Sequence, residues 1–235
     1  MVTGATSGIG RAVALRLLEE GWKVVGVGRR EADEALGSHD GFVGEQIDLA
    51  DLGRLPRELD ILARRHRTIE ALVLAAGQGL LGGFEEQSYE QIRQLVDLDL
   101  TAQIFCARAF LPAFKRHGRG DLIFLGSEAA RQGRRHGAVY CATKFGLRGF
   151  TQALREESAR RGVRVTLINP GFVRTPFFDP LPIEPGPDRV HALEPEDVAR
   201  AVSMVLDAPP EVVFDEIDLS PRQQQVVHRR RGRAE

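Results

Sequence analysis

Short apolar runs alternate with longer amphipathic stretches along most of this chain. The runs at residues 24–28, 71–75 and 122–125 are apolar at successive positions, as in strands that are buried on both faces. Between such runs, apolar residues recur every three or four positions, which predicts helices. Strands that alternate with helices predict an α/β fold, in which a doubly wound parallel sheet carries helices on both faces.

The same pattern sets the expected bounds of the elements. Strands are predicted over residues 2–3, 24–28, 42–47, 71–75, 122–125, 163–168 and 212–219. Helices are predicted over residues 9–20, 52–65, 89–115, 138–160 and 194–206. In the longest helix, Ser88 is the expected N-cap, and Pro112 predicts a kink or break near the end. Residues 1–221 are expected to form a single domain, followed by a mobile, polar and basic tail over residues 222–235.

Composition narrows the class of protein. The 235 residues carry a formal net charge of −1, which argues against a dedicated nucleic-acid binder. No apolar run reaches the length of a membrane span, so neither a nucleic acid nor a membrane is an expected partner. The two cysteines, Cys106 and Cys141, and the six scattered histidines show no metal-ligand spacing. We therefore expect a cytoplasmic protein with no catalytic metal.

A glycine-rich turn joins the first predicted strand to the first predicted helix. Gly4, Gly8 and Gly10 punctuate this turn. Glycines at such a place let backbone N–H groups approach a phosphate at the helix N-terminus, where the helix dipole favours negative charge. Inside a strand–turn–helix–strand unit, the turn therefore indicates a dinucleotide site.

The residues after the second strand bear on which dinucleotide this would be. An NAD site usually has an acidic residue there to bind the ribose hydroxyls, whereas this chain has Arg29 and Arg30. An arginine suits a 2′-phosphate, to which its guanidinium can form two parallel hydrogen bonds. The sequence therefore favours NADP(H), with NAD(H) as the alternative. A second interpretation is that Arg29 is only a solvated residue at a strand end.

Tyr140, Lys144 and Ser127 form the candidate catalytic group. Four residues separate Tyr140 from Lys144, so on a helix both side chains lie on the same face. An ammonium beside a phenol stabilises the phenolate and lowers the pKa of the phenol, which would make tyrosine a usable general acid and base. Ser127, at the end of the strand before this helix, is placed to polarise a carbonyl.

These residues resemble the short-chain dehydrogenase/reductase family, in its short single-domain branch. Residues 3–10, with the sequence TGATSGIG, are similar to the family's T-G-x-x-x-G-x-G turn. Ser127, Tyr140 and Lys144 match its catalytic serine and its Y-x-x-x-K motif. The resemblance covers nearly the whole chain and implies a Rossmann-like fold.

Further motifs extend the resemblance along the cofactor. Residues 169–171, Asn-Pro-Gly, and Thr175 match the family's N-P-G-x-x-x-T segment, which holds the nicotinamide end. Asp48 and Leu49 stand where the family places residues against the adenine. The expected cofactor-binding residues are Gly4, Thr6, Ser7, Gly8, Ile9, Gly10, Arg29, Arg30, Asp48, Leu49, Ala76, Gly77, Tyr140, Lys144, Pro170, Gly171, Val173 and Thr175.

The resemblance also implies an activity, which is hydride transfer between nicotinamide and a carbonyl or secondary alcohol. Tyr140 would exchange the proton, Ser127 would hydrogen-bond the substrate oxygen, and Lys144 would lower the pKa of Tyr140 and bind the nicotinamide ribose. Asp99 is the fourth expected catalytic residue. It stands where the family commonly has an asparagine whose backbone carbonyl holds a water beside the lysine, and we expect Asp99 to keep that role.

Two further expectations concern assembly and the rival function. The family commonly forms dimers or tetramers, so the resemblance implies a homodimer or a homotetramer that acts on a small-molecule carbonyl or alcohol. A non-catalytic NADP(H)-binding sensor is the alternative function. The presence of Ser127, Tyr140 and Lys144 argues against it, because a pure sensor needs no proton donor.

Residues 175–188 are the candidate lid of the site. This stretch is apolar and broken by prolines between two regular elements, a composition that is typical of mobile lids. Phe177, Phe178 and Leu181 either cover a substrate or pack on the core, and the sequence favours neither interpretation.

Two other stretches bear on the substrate. Arg131, Arg134, Arg135 and His136 lie between the candidate serine and tyrosine, where they either attract a carboxylate or form a solvated loop. The sequence favours the solvated loop in this arginine-rich chain. Residues 209–225 resemble the corresponding part of serine and 3-hydroxy acid dehydrogenases, which suggests a related substrate.

Overall fold

A seven-stranded, fully parallel sheet forms the centre of the protein in a computed structural model, which describes residues 1–229. Its strands are β1 (Val2–Thr3), β2 (Val24–Gly28), β3 (Phe42–Gln46), β4 (Ala71–Leu74), β5 (Gly120–Leu125), β6 (Val163–Pro170) and β8 (Glu216–Leu219). They lie in the order β3-β2-β1-β4-β5-β6-β8 across the sheet. A separate antiparallel pair is formed by β7 (Ile183–Pro185) and β9 (Val226–His228).

Helices cover both faces of the sheet. They are α1 (Gly8–Glu19), α2 (Glu34–Gly37), α3 (Leu55–Arg65), α4 (Tyr89–Val96), α5 (Ala102–His117), α6 (Ala138–Ser158) and α7 (Pro195–Leu206). The helices α1 and α7 pack together on one face, while α3 and α5 pack together on the other. None of the helices in residues 1–229 is long and apolar enough to cross a membrane.

The strand β5 shows why a strand that is covered by helices on both faces has an unbroken apolar sequence. Leu122 and Phe124 are buried in the core beneath α3 and α5, whereas Ile123 and Leu125 are buried in the core beneath α1 and α7. Because side chains alternate between the faces of a strand, a strand that is covered on both faces must be apolar at every position. The predicted doubly wound α/β fold is confirmed.

The helix that begins at Tyr89 differs from its prediction near the end. Ser88 caps it as expected, through a reciprocal pair of hydrogen bonds with Gln91. The helix then continues through a π-helical segment, Asp97–Thr101, and through Pro112 to His117. Of the predicted kink or break at Pro112, the break is wrong, because buried phenylalanines on the turns before and after the proline hold both turns in the core, while the kink stays a prediction.

The carboxyl-terminal part of the described chain also differs from expectation. The last sheet strand begins at Glu216 instead of residue 212, since Val212 and Val213 are exposed and lie outside the sheet. The predicted tail, residues 222–235, contains the paired strand β9 in its first half. Residues 230–235 of that tail lie outside the described residues.

The sheet order places the predicted site residues at one edge of the sheet. The order reverses between β1 and β4, which are adjacent and parallel. In open α/β sheets, ligands bind outside the carboxyl ends of the strands at such a reversal. The predicted site residues that do not belong to a helix are at or just beyond the carboxyl ends of β1 to β6.

Candidate functional site

The turn between β1 and α1 has the geometry of an anion-binding cradle. Gly4 and Gly8 have φ values of 67° and 52°, in the left-handed region that favours glycine. Ser7 is the N-cap of α1, makes no side-chain hydrogen bond to the first turn, and is followed by no acidic residue in that turn. The N–H groups of Gly8, Ile9 and Gly10 are therefore without helical partners, at the positive end of the helix dipole.

Other predicted binding residues surround this turn. A Cβ added at Gly4 would lie 3.1 Å from the backbone of Ala76, and one added at Gly8 would lie 3.3 Å from the side chain of Thr175. Thr6 lies against the last residue of β2. The structure therefore brings together the glycine turn, the end of β4 and the segment that follows β6.

The segment after β6 is held in place from two sides. Pro170 is the last residue of β6, and the N–H of Gly171 donates to the carbonyl of Leu219 at 2.7 Å. Val173 is buried and forms an isolated parallel bridge to Leu193, just before α7. The Thr175 hydroxyl donates to the Val173 carbonyl at 3.3 Å. These contacts fix Thr175 beside the glycine turn.

The residues predicted to contact the adenosine lie at the ends of β2 and β3. Arg29 and Arg30 are exposed, and within residues 1–229 neither forms an ion pair. Asp48 is exposed and accepts a hydrogen bond from the N–H two residues further on at 3.0 Å, while Leu49 is buried. The two guanidinium groups are therefore available to an anion at the edge of the cradle.

The strand β5 and the helix α6 bring Ser127, Tyr140 and Lys144 together. Ser127 directly caps a short 3₁₀ turn, where its hydroxyl accepts a hydrogen bond from the Ala129 N–H at 3.1 Å. The Lys144 Nζ lies 5.6 Å from the centroid of the Tyr140 ring. This ammonium is buried and donates to the Leu125 carbonyl at 3.3 Å. Ser127 acts on Tyr140 by lowering the pKa of the phenol through a hydrogen bond.

Asp99 lies on the other side of Lys144, within the π-helical segment. Its side chain is completely buried, with Oδ2 at 3.2 Å from the Lys144 Nζ. Its Oδ1 accepts a hydrogen bond from the backbone N–H of Gln78 at 2.8 Å. The Asp99 carboxylate thus contacts Lys144 directly, in addition to the role implied by the resemblance, in which the backbone carbonyl of this residue holds a water beside the lysine. The sequence does not predict this side-chain contact, because the direction of the Asp99 side chain depends on the π-helical backbone of residues 97–101.

The pKa of Tyr140 is raised overall, although Lys144 acts on it in the predicted direction. Burial of the phenol, which is the largest influence, raises the pKa of Tyr140 above its ordinary value. The Lys144 ammonium opposes this rise, but the Asp99 carboxylate adds to it, and the net direction is upward. The Lys144 effect has the predicted sign, but it is outweighed by burial and by a carboxylate that the motif does not include.

The lid segment divides between the two interpretations left open by the sequence. Phe178 and Leu181 are buried, and the Phe178 ring packs against Phe172 with 5.5 Å between the centroids. Phe177 instead faces Tyr140, with 6.0 Å between the ring centroids. A Cβ added at Gly79 would lie 2.8 Å from both Phe177 and Leu181, so the candidate lid packs against the loop that follows β4.

The basic loop before α6 is largely occupied by ion pairs. Arg131 pairs with Asp218, and Arg134 approaches the carboxylate of Glu128 at 3.4 Å. His136 is exposed, with a φ of 63°, which is the only positive value among the non-glycine residues described. Two of the basic side chains in this loop therefore pair within the protein, and residues 131–136 are exposed, which favours the solvated loop over a carboxylate-binding role.

Glu128 is a residue of the site that the sequence reasoning missed. It follows Ser127 directly, and its carboxylate accepts hydrogen bonds from Ser220 at 3.1 Å and from Gln224 at 2.8 Å. A Cβ added at Gly171 would lie 2.3 Å from its Oε1. Glu128 thus joins the serine turn to the segment after β6 and to the chain after β8. A lone glutamate in a polar loop gives no sequence signal for such a role.

The residues present fit a dinucleotide, on three observations of this structure. The α1 N-terminus lacks both a side-chain cap and an acidic residue, glycines line the turn, and the arginines after β2 are not engaged in ion pairs within residues 1–229. For metals, the described residues contain no group of three or more His, Cys, Asp or Glu side chains that could hold an ion.

Comparison with known proteins agrees with this geometry. The family model described as short chain dehydrogenase matches residues 1–184. A curated relative, serine 3-dehydrogenase of Agrobacterium fabrum, is 32% identical over 234 residues, which cover 94% of this chain and 92% of the relative.

Solved structures of serine dehydrogenases have a similar fold. The crystal structure of serine dehydrogenase from Escherichia coli has a TM-score of 0.79 and 31% identity, and covers 93% of this chain and 95% of its own. The closed form of serine dehydrogenase complexed with NADP+ has a TM-score of 0.81 and 29% identity, with coverage of 93% and 92%.

Proposed function

The chain belongs to the short-chain dehydrogenase family, and on this premise we propose that it is an NADP(H)-dependent oxidoreductase in which Tyr140 exchanges a proton with a carbonyl or alcohol oxygen. The observation that carries the proposal is the convergence of three groups at one end of the sheet. Ser127 lies just beyond the carboxyl end of β5, while Tyr140 and Lys144 lie one helical turn apart on α6, with the Lys144 Nζ 5.6 Å from the centroid of the Tyr140 ring.

The roles of the three side chains follow from their chemistry. A bound nicotinamide would supply the hydride. The Ser127 hydroxyl is placed to donate a hydrogen bond to the substrate oxygen, which polarises the carbonyl and fixes its orientation. Tyr140 then donates its phenolic proton to the same oxygen, as a general acid. Lys144 stabilises the phenolate that remains, since its buried ammonium lies on the same helix face.

Two observations support NADP(H) as the cofactor. Arg29 is exposed at the end of β2, without an ion pair in residues 1–229, where its guanidinium can bind a 2′-phosphate. A relative that is 29% identical was crystallised with NADP+. The remaining cofactor contacts are assigned to the glycine turn, the ends of β3 and β4, and the segment that follows β6.

The substrate class that we propose is a 3-oxo or 3-hydroxy acid. The name of the Agrobacterium fabrum relative, serine 3-dehydrogenase, indicates oxidation of a hydroxyl on the carbon β to a carboxylate. The present chain matches that relative along 94% of its length, including the region after β6 that forms the lid. The Phe177 ring faces Tyr140 with 6.0 Å between the centroids, which limits the space beside Tyr140 and favours a small substrate.

The proposed activity is tested by titration with NADPH and NADH, followed by a screen of ketones, aldehydes and 3-oxo acids. We expect tight binding of NADPH and consumption of the reduced cofactor with at least one carbonyl class, measured by its absorbance. Tight cofactor binding without turnover of any carbonyl would instead support the non-catalytic sensor.

Replacement of Arg29 by aspartate tests the cofactor preference. We expect Arg29→Asp to weaken NADPH about 10- to 100-fold, the loss expected for a hydrogen-bonded charge pair, and to leave NADH affinity nearly unchanged. Arg160→Asp makes the same charge change at an exposed position before the amino end of β6 and should alter neither affinity. An equal loss of both cofactors in Arg29→Asp would contradict the phosphate assignment.

A further inference from the structure

We propose that the Asp99 carboxylate, held against the Lys144 ammonium, keeps Tyr140 in its neutral phenol form and so prepares this site for carbonyl reduction rather than alcohol oxidation near neutral pH. The inference rests on the proposed function, because it assigns a direction to the same proton exchange. Asp99 acts through Lys144 and Tyr140 and is therefore a positioning residue.

The position of Asp99 is fixed by its surroundings. The residue is completely buried in the π-helical segment, and the backbone N–H of Gln78 donates to Oδ1 at 2.8 Å. The buried amide of Gln103 donates to the carbonyls of Leu98, within that segment, and Ala76, after β4, at 3.1 and 2.8 Å. A carboxylate held in this way cannot turn away from its neighbours towards solvent.

The second oxygen of Asp99 has a single charged neighbour. Oδ2 lies 3.2 Å from the Lys144 Nζ, and it has no well-aligned hydrogen bond from any described residue. An uncompensated carboxylate at such depth is costly, so its charge must be matched by this ammonium or removed by a proton. Burial raises the pKa of Asp99, and the Lys144 ammonium opposes that rise. A protonated Asp99 would leave the pair with the charge of the ammonium, so the proposal requires the ion pair, whose net charge is zero.

A neutral pair changes what Lys144 can do for Tyr140. A lone buried ammonium would stabilise a phenolate, because the opposite charge offsets the cost of burying it. Beside the Asp99 carboxylate, part of this stabilisation is lost, because the carboxylate repels the phenolate that the ammonium attracts. The effect of Asp99 is therefore to oppose ionisation of the phenol.

The other groups that face Tyr140 do not reverse this balance. Burial is the largest influence and raises the pKa of Tyr140, and the Asp99 charge and the Cys141 thiol raise it further. Lys144 and a hydrogen bond from Ser127 act in the opposite direction. The Phe177 ring, 6.0 Å from the Tyr140 ring, offers no polar contact to a phenolate. The net pKa of Tyr140 lies above its ordinary value.

The protonation state decides which reaction the protein can perform at a given pH. Reduction requires the phenol as a proton donor, whereas oxidation requires the phenolate as a base. Since the pKa of Tyr140 is raised, the phenol predominates throughout the neutral range, and the phenolate forms only at strongly alkaline pH. The protein does not change the equilibrium constant of the reaction. It is mostly present with Tyr140 as a phenol, which is the form that can carry out the reduction.

The composition of the chain allows a direct measurement without cofactor or substrate. The protein has only two tyrosines, and Tyr89 is 93% exposed. In the variant Tyr89→Phe, the ultraviolet absorbance of tyrosinate therefore reports Tyr140 alone, and in Tyr140→Phe it reports Tyr89. Each titration is followed over the pH range in which the circular dichroism of the full-length chain is unchanged.

The proposal predicts the order of these titrations. Tyr140 should ionise at higher pH than Tyr89, or not at all before the chain unfolds. Addition of Asp99→Asn to Tyr89→Phe leaves the Lys144 charge unopposed, and the titration of Tyr140 should then move down by about one pH unit or more. Asp121→Asn is the matched control, since Asp121 is a partly buried aspartate paired with Arg164 at the other end of β5, and it should leave Tyr140 unchanged.

Two results would overturn the inference. One is ionisation of Tyr140 at or below the pH of Tyr89 in the protein that keeps Asp99, which requires no other variant to fold. The other is an Asp99→Asn variant whose Tyr140 titrates at the same or a higher pH.

Kinetics then separate this inference from the proposed function. With a carbonyl that the protein turns over, Asp99→Asn should move the alkaline rise of kcat for oxidation and the alkaline fall of kcat for reduction to lower pH together. An unchanged pH profile in an active variant refutes the role of Asp99 and leaves the proposed function standing. Absence of turnover in the unmodified protein refutes the proposed function, while the titrations still report on Asp99.

Discussion

Replacement of Tyr140 by phenylalanine is expected to lower turnover about 10²- to 10⁴-fold, the range that a positioned general acid contributes. The change removes only the phenolic oxygen and keeps the ring that packs against Phe177. Cofactor affinity should stay within a few-fold of the original, because the glycine turn and the strand ends are untouched. Both quantities are measured by cofactor titration and by initial rates at saturating substrate.

Tyr89→Phe is the control for this experiment. It makes the same chemical change at the first residue of α4, where the side chain is 93% exposed, and it should retain full activity. Turnover in Tyr140→Phe that remains within a few-fold of the original would show that another group donates the proton. In that case Ser127, whose hydroxyl is near Tyr140, would be the next candidate.

Replacement of Gly10 by alanine is expected to have the second largest effect, on both stability and cofactor binding. A Cβ at this position would lie 2.3 Å from the carbonyl oxygen of Gly4 and 2.9 Å from that of Thr3, and both are backbone atoms that cannot turn aside. The N-terminus of α1 must therefore move away from the turn. We expect a loss of about 1–3 kcal/mol in the free energy of unfolding, as for other overpacked positions. NADPH affinity should fall at least about tenfold, since even a displacement that costs 1.4 kcal/mol of binding energy has that effect.

Gly149→Ala provides a matched control within a helix. Gly149 lies in α6, and a Cβ added there has no neighbour within 4 Å. Alanine should stabilise the protein by up to about 1 kcal/mol, because glycine is the poorer helix former. Chemical denaturation and NADPH titration of both variants check the prediction. If Gly10→Ala binds NADPH as tightly as the original chain, the close packing of α1 on the turn is not what forms the cofactor site.

The fold was largely predictable because its determinants are local. The strands β2 and β5 are buried on both faces and are therefore apolar along their length, a pattern that is visible in the sequence. The site followed from the same logic. Tyr140 and Lys144 share a helix, so a spacing of four residues is enough to place them on one face, and Ser127 comes directly after a predicted strand.

The errors arose where an element depends on distant neighbours. Pro112 lies inside a helix that continues to His117, because core packing on both sides of the proline outweighs its local cost. The strands β7 and β9 are three residues each and are stabilised by each other, across a separation of about forty residues that no local pattern records.

The sequence by itself therefore determined the family, the sheet, the glycine turn and the three groups proposed to carry the chemistry, because each of these depends on residues that are close in the chain or on the ends of predictable strands. Only the tertiary structure decided the electrostatics of the site. Asp99 and Lys144 are 3.2 Å apart because a π-helical segment and α6 pack side by side, and their separation of 45 positions in the chain gives no sign of that contact. Burial and the Asp99 carboxylate raise the pKa of Tyr140 and together outweigh the lowering by Lys144 that the motif suggested.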